Sequence, residues 1–294
     1  MKPALAAAAL LVTAAAGLAQ ERGDAVPTAE PAPASASAPP APRDDVALQA
    51  SRDYLIGAAI GSSANPLGTA QQKLSLGGIW AFQLGRWRFA SSGASALLNQ
   101  GRETVDSGVS TQLARGDRLA LNTSLSIDEG RDWRDEKDPR YHGLGKVRAT
   151  VRGRLTLGLT LSEHWSLTSR ASQDLLGRDG GLRLDTGLNY RHRLSRDTHW
   201  DLSFGAGWAN GTFRQTHYGI GPEGAAATGL PAYAIGSGWD SLSLGWRLTS
   251  AINRHWVGYA GLGVAQLQGA ARRSPLATRP TTFSAGLGLA YRNR

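Results

Sequence analysis

Lys146-Val-Arg-Ala-Thr-Val-Arg-Gly-Arg-Leu-Thr-Leu-Gly-Leu-Thr-Leu161 alternates without a slip. Val147, Ala149, Val151, Gly153, Leu155, Leu157, Leu159 and Leu161 fall on one parity, and Arg148, Thr150, Arg152, Arg154, Thr156, Gly158 and Thr160 on the other. Successive side chains of a strand point to opposite sides, so one face must be buried in apolar surroundings while the three arginines stay wet. Soluble strands usually run to about 5–6 residues, and this one is far longer. The pattern predicts a tilted membrane-crossing strand, which needs about 9–11 residues within the bilayer and extensions beyond it.

The same dyad recurs. Leu119, Leu121, Leu125 and Ile127 oppose Ala120, Asn122, Ser124 and Ser126, while Leu182, Leu184, Leu188, Tyr190 and Leu194 oppose Arg183, Asp185, Asn189, Arg191 and Arg193. Leu202, Phe204, Ala206 and Trp208 oppose Asp201, Ser203, Gly205 and Gly207, and Leu242, Leu244, Trp246 and Leu248 oppose Ser241, Ser243, Gly245 and Arg247. Candidate strands cover residues 54–61, 73–84, 87–98, 107–113, 118–127, 146–161, 165–175, 182–194, 198–208, 238–252, 256–267 and 281–291. They predict an all-β fold, an antiparallel transmembrane β-barrel of about twelve strands. Residues 107–113 show the weakest pattern, so ten strands is the fallback, ten also being even as a bacterial barrel requires. The dyad alone leaves a soluble β-barrel as a further alternative.

Composition points the same way. The chain has nine Trp and thirty-seven Gly but five Phe and one Met, with a mean hydropathy of −0.27. A helical membrane protein could not be so polar, whereas a barrel shows lipid only alternate residues. Lys2 followed by the apolar run from Ala4 and by Gly17-Leu18-Ala19 reads as a secretory signal peptide over residues 1–19, cleaved before Gln20. Residues 20–50, rich in Ala, Pro and Ser, read as a disordered tether, an inert spacer or a periplasmic arm, leading to a barrel over residues 51–294. The absence of cysteine excludes a disulfide framework, a thiolate metal site and a lipidated N-terminal Cys. The net charge of +9 is read as a basic lumen or rim, not as nucleic-acid binding, because the arginines lie on strand faces.

Eight tryptophans, Trp80, Trp87, Trp133, Trp165, Trp200, Trp208, Trp239 and Trp256, stand near strand ends or turns, where an interfacial girdle would put them. Short links at 161–165, 194–198 and 252–256 read as periplasmic turns, and longer ones at 128–145, 176–181 and 210–237 as outward loops. Arg148, Arg152, Arg154, Arg183, Arg191, Arg193 and Arg247 are expected to face the lumen, with Asp185 and Asp201 as partners. If open, such a lumen would favour anions; long side chains can equally fill a barrel this narrow.

Reactive residues are few. His164 and Ser166 could share a strand face, similar to the His-x-Ser arrangement of outer-membrane lipid A deacylases, in which imidazole activates serine. A turn histidine capped by a neighbouring serine is the plainer reading. His199, Asp201 and Ser203 also share a face. Asp128, Glu129, Asp132, Asp135, Glu136 and Asp138, interleaved with Arg131, Arg134, Lys137 and Arg140, could hold a divalent cation or form a solvated loop that meets lipopolysaccharide or a partner. No catalytic residue, cofactor or metal is expected.

Beyond these patterns, the charged stretch from Asp128 through Gly130-Arg131 to Gly143-Leu144-Gly145, followed by the long strand, resembles the MipA/OmpV family of outer-membrane proteins. So do Tyr218-Gly219-Ile220-Gly221, the Gly229-Leu230-Pro231-Ala232-Tyr233 turn and Ser274-Pro275-Leu276 before the last strand. Residues 65–69 and the final Tyr291-Arg-Asn-Arg294 depart from the family pattern. The chain reads as a monomer, and the resemblance implies a non-enzymatic barrel in the bacterial outer membrane. Its implied role is a scaffold that links a membrane-bound lytic transglycosylase to a bifunctional penicillin-binding protein, a murein synthase, in peptidoglycan assembly. A small anion-preferring channel or surface receptor is the alternative, and a lipid A hydrolase the third.

Overall fold

The computed structural model describes residues 54–67, 72–91, 94 and 107–293. The expected signal peptide and tether lie outside these residues. Among the described residues fourteen strands run in chain order: β1 (Tyr54–Ala64), β2 (Gln72–Leu84), β3 (Trp87–Ala90), β4 (Gly108–Arg115), β5 (Leu119–Asp128), β6 (Arg131–Asp132), β7 (Lys146–Val147), β8 (Thr150–Thr160), β9 (Trp165–Asp174), β10 (Leu182–Arg193), β11 (Thr198–Ala209), β12 (Gly238–Ala251), β13 (Trp256–Leu267) and β14 (Thr281–Arg292). The described residues also form three short α-helices, α1 (Gly211–Tyr218), α2 (Pro222–Thr228) and α3 (Gly269–Arg272).

Twelve of the strands close an antiparallel barrel in which each pairs with its sequence neighbour, β5 passing to β8 and β1 returning to β14. Closure runs from Leu55 opposite Arg292 to Ser63 opposite Ser284, so no strand edge is left unpaired between first and last. The expected strand at 107–113 is present as β4, with a register shift between Gln112 and Ala114.

The alternation sorts lipid from lumen. Ile56, Ile60, Leu74, Leu76, Leu125, Leu155, Phe204, Leu242, Leu244, Trp246, Leu262, Phe283, Leu287 and Leu289 are exposed on the outer face, a belt of apolar side chains with no protein over it, as lipid requires. No helix among the described residues is long and apolar enough to cross a membrane; the strands do so.

One end carries short turns. Ser162 Oγ accepts from the His164 and Trp165 amides, Ser195 Oγ from those of Asp197 and Thr198, and Asn253 Oδ1 from those of His255 and Trp256. Three hairpins thus use the same side-chain-to-backbone turn. Aromatic rings collect at this end: Trp256, Tyr291 and Tyr54 pack in series, as do Trp165, Tyr190 and Trp200, and Trp80, Phe82 and Phe89. Trp133 departs from the girdle expectation, being 4% exposed among the loops of the opposite end.

Inside the short-turn half, one side of the lumen is apolar, while Arg191, Asp201 and His199 line another part of it. Leu55, Ile79, Ala81, Ala90, Val257 and Ala290 form a buried cluster with Ala94, flanked by Ala59 and Tyr259.

A second difference concerns the stretch that opens the sequence reading. Residues 146–161 do not form one strand: Lys146 and Val147 pair with Asp132 and Arg131 in a loop hairpin, and the barrel strand begins only at Thr150. Between them Arg148 pairs with Asp179 at 3.2 Å, and the Ala149 carbonyl accepts from Arg178 Nη1 at 2.6 Å. Side chains of the neighbouring loop take the groups that a ladder would have used, an exchange that parity does not reveal.

Candidate functional site

The site lies at the long-loop end, where three loops fold into a roof. In the loop after β5, Asp132 and Asp138 each accept from the amide two residues on and grip Arg134 and Arg140 at 2.7 and 2.6 Å. These paired charges fix two tight 3₁₀ turns, Trp133–Asp135 and Pro139–Leu144. The arginine beside it lowers the Asp132 carboxyl to about 2, and Arg140 likewise holds Asp138 below the usual carboxylate range. Two of the six acids of the cluster, Asp132 and Asp138, are thus neutralised within their own loop, and Asp128 is paired from β8 by Arg152. Among the described residues no group of three or more His, Asp or Glu is placed to hold a metal.

Those turns bury Trp133 and Tyr141, whose rings stack at 5.6 Å. The loop after β11 supplies Phe213, Tyr218, Ile220 and Ile235, and the loop after β13 supplies Ala271 and Leu276; with Leu67 and Leu267 they make one hydrophobic core. Polar ties bind the loops together. Ser274 Oγ donates to the Tyr218 carbonyl at 2.6 Å, Tyr233 Oη donates to the Ala270 carbonyl at 2.8 Å, and Tyr233 bridges Ile220. Asn210 Oδ1 caps α1 at the Phe213 amide and also receives the Leu182 amide at the head of β10.

The residues that carry the family resemblance meet in this roof. Gly130 packs against the Val147 carbonyl at φ +73°, and Gly143 lies under Ala227, where a Cβ would come within 2.8 Å. Arg131 Cζ stands 4.8 Å from the centre of the Trp133 ring. Gly145 follows the second 3₁₀ turn as its cap, Gly219 caps α1 and Gly229 ends α2 in the left-handed region. Leu230 and Tyr233 pack on the core; Pro231 is exposed, and Pro275 is half-buried between Ser274 and Leu276.

Beneath the roof lie the charges. Phe213 enters the mouth between two guanidiniums, Arg152 at 5.3 Å and Arg183 at 5.5 Å from its ring centre. Arg152, 5% exposed, donates from Nε to Asp128 at 2.7 Å and from Nη2 to the Gly180 carbonyl at 2.9 Å. Arg183 binds Asp185 at 3.0 Å and Asp240 at 2.6 Å. Asp240 is fully buried, and a bulge puts it there. Gly207 pairs with Ser241 but Trp208 with Trp239, so Asp240 is the extra residue, turned inward. Gly207 leaves room for this pair, since a Cβ there would come within 2.7 Å of both Arg183 Nη2 and Asp240 Oδ1. Burial and the Asp240 carboxylate push the Tyr218 hydroxyl up to about 12. Burial, with Arg131 and Arg152 nearby, pushes the His217 imidazole down to about 4.

The other lumen candidates are spread along the barrel. Arg154 follows Arg152 on the inward parity of β8, and Arg191 pairs with Asp201 at 2.6 Å. Arg193 is exposed at the short-turn end of β10, and Arg247 lies over Tyr259 at 5.7 Å. Arg148 is a correction to the lumen set, because it sits outside the barrel strands on the loop-end rim, with its side chain 59% exposed.

Neither serine triplet forms a relay. His164 Nδ1 lies 3.1 Å from the Arg191 carbonyl, and no hydrogen bond joins it to Ser166 among the described residues. His199 Nε2 stands 3.5 Å from an Asp201 that Arg191 already holds, and Ser203 Oγ donates to the Gly245 carbonyl.

Asp240, Phe213 and His217 do not stand out in the sequence as site residues. One signal for Asp240 exists: Trp239 and Leu242 are both on the outer face although they differ in parity, and such a slip marks a bulge.

Among solved structures, the chain is similar to the COG4313 outer membrane channel from Pseudomonas putida F1, at 14% identity and a TM-score of 0.39, covering 86% of this chain and 99% of that one. It is also similar to the NanC porin, at 8% identity and a TM-score of 0.39 over 81% of this chain and 98% of that one. A third is OmpT of Vibrio cholerae, at 8% identity and a TM-score of 0.38 over 82% of this chain and 98% of that one. No curated protein matches the sequence. The family model described as MltA-interacting protein MipA matches residues 56–293. With a closed twelve-stranded barrel, an apolar belt and a match over nearly all of that barrel, the chain belongs to the MipA family and is a protein of the bacterial outer membrane.

Proposed function

We propose that this barrel is a non-catalytic scaffold that docks a membrane-bound lytic transglycosylase on its periplasmic side and brings it to a murein synthase. The family's description as an MltA-interacting protein supports the partner class. The observation that carries the reading is how the barrel interior is used. Apolar side chains occupy lumen positions in the short-turn half, and a hydrophobic core roofs the loop end. Such a barrel is built to present its ends, not to conduct. Its short-turn end offers Arg86, Arg118, Arg196 and Arg254 on turns, at the end where the barrel's first strand begins at Tyr54.

Crosslinking in intact cells, followed by recovery of the outer-membrane fraction and mass spectrometry, tests this. Enrichment of a lytic transglycosylase or a murein synthase is the expected result. Recovery of the barrel with neither enzyme overturns the scaffold reading.

A second reading, an anion-preferring channel, is favoured by Arg247, which is exposed within the lumen. In planar bilayers it requires steady conductance whose anion preference falls on Arg247→Ala; a silent membrane excludes it.

A further inference from the structure

Under the roof, Asp128 is bonded by Arg152, and its charge also acts on Arg131 without a contact. Arg131 stacks on Trp133, its Nη1 is buried without a hydrogen-bond partner, and it makes no ion pair among the described residues. Arg152 uses Nε and Nη2 on Asp128 and the Gly180 carbonyl, which leaves its Nη1 buried and unpartnered. His217, whose ring centre is 4.2 Å from that of Phe213, likewise has a buried Nε2 with no partner. Phe213 in turn lies against Arg152, so the hairpin strand β6, the barrel strand β8 and the helix α1 bring three nitrogens with unmet hydrogen-bonding capacity into one region. Of the other acids, Glu136 acts on Arg131 through its charge without an ion pair between them, and Asp185 and Asp240 are both engaged by Arg183.

Buried polar nitrogens are ordinarily satisfied, and a buried guanidinium is ordinarily paired. The group that answers all three is a single oxyanion, because the Nη1 of each guanidinium can donate to an oxygen of a carboxylate or phosphate and the imidazole N–H takes a further lone pair. His217 stays neutral at physiological pH, so it serves as a donor without adding charge.

We propose that Arg131, Arg152 and His217 form a binding site for one oxyanion group, a carboxylate or phosphate borne by a small soluble anion that the roof encloses. The 5% exposure of Arg152 leaves no approach for a lipid headgroup. The site is independent of the docking role, since it faces the loop end and not the periplasmic turns.

Calorimetric titration of the full chain, refolded in detergent, with sodium phosphate and separately with sodium acetate, both at constant ionic strength set by chloride, tests it. One saturable site for either ion is expected, and the tighter of the two sets the ligand class. Arg131→Gln should weaken that binding at least tenfold, and His217→Phe by severalfold, while Arg247→Gln leaves it unchanged. Retention of the heat-modifiable gel shift shows that each variant has folded. The absence of saturable heat with both ions overturns the site. So does equal binding by Arg131→Gln, or a loss in Arg247→Gln as large as in Arg131→Gln, which would assign the effect to the basic lumen in general.

Discussion

Arg183 Nη1 lies 2.6 Å from Asp240 Oδ2, and the pair exists because one bulge in β12 turns that aspartate into the barrel mouth. Asp240 is fully buried, while Arg183 has a second carboxylate in Asp185 at 3.0 Å. The two partners are therefore unequally dependent on each other. Arg183→Gln strands a buried charge and should cost about 3–5 kcal/mol. Asp240→Asn leaves Arg183 paired and should cost about 1.5–3 kcal/mol, the range of a hydrogen bond to a charged group. Urea titrations of the refolded barrel should show that order, and the reverse order would mean that Asp185 does not keep Arg183 paired once Asp240 is lost.

The roof is a hydrophobic core made by loops, so it should fail by itself. Trp133→Ala removes a ring that is 4% exposed and stacked on Tyr141, a loss of about 3–5 kcal/mol for large aromatic truncations. Because Trp133 lies in the loop after β5 and not in the strand ladder, the expected outcome is rapid protease cleavage within residues 129–149 and 210–237 while the barrel keeps its gel shift. Loss of the barrel itself would show that roof and wall fold as one unit.

Acid should loosen the same roof. Burial and two nearby guanidiniums hold the His217 pKa at about 4, below the ordinary 6.5. Its unfolded form therefore binds more protons between those values, so the stability contributed by neutral His217 is full above about pH 6.5 and falls as pH drops toward 4. The shift corresponds to roughly 3 kcal/mol of roof stability. Protease sensitivity of the loops measured from pH 7.5 to 4 should rise through that window, and His217→Phe should flatten the rise. An unchanged profile in the variant would place the acid sensitivity in other groups.

The barrel was readable in the sequence because a membrane wall obeys one rule at every position, that alternate side chains meet lipid. Leu242, Leu244 and Trp246 follow it, and the structure sets all three outward. The roof obeys no period. Phe213, Trp133 and Leu276 come from three loops and meet only through their packing, so nothing local announces them. Parity also misleads where it runs past the end of a strand, as at Arg148 and Ala149, whose polar groups turn to Asp179 and Arg178. The family motifs mark the roof without describing it: Ser274 is intelligible only once its hydroxyl is seen on the Tyr218 carbonyl.

Close approach of α1 to the barrel rim depends on Gly181. Its φ is +56°, and a Cβ would stand 2.4 Å from the Phe213 amide nitrogen and 2.5 Å from Asn210 Oδ1, the atom that caps the helix. Gly181→Ala adds backbone strain and displaces that cap, which together should cost about 2–3 kcal/mol. The loop after β11 should then exchange its amide hydrogens faster, with strands β13 and β14 unaffected. Uniform protection across the variant would mean that the helix shifts to accommodate the methyl group.

The two faces of β12 give the most direct test of which side meets lipid. Leu244 is 40% exposed on the outer belt, whereas Ser243 and Gly245, its neighbours in sequence, turn to the lumen beside Gly205 and Ser203. An arginine near the bilayer midplane on the lipid face costs about 2–4 kcal/mol, while lumen substitutions spare the insertion step. Leu244→Arg should therefore slow folding into lipid vesicles and lower stability by that amount. Ser243→Arg should still insert, its guanidinium reaching water inside the barrel. If both substitutions were tolerated equally, the outer belt would not be a lipid contact; if Ser243→Arg alone were damaging, the wall would be inverted relative to the alternation that runs through every barrel strand.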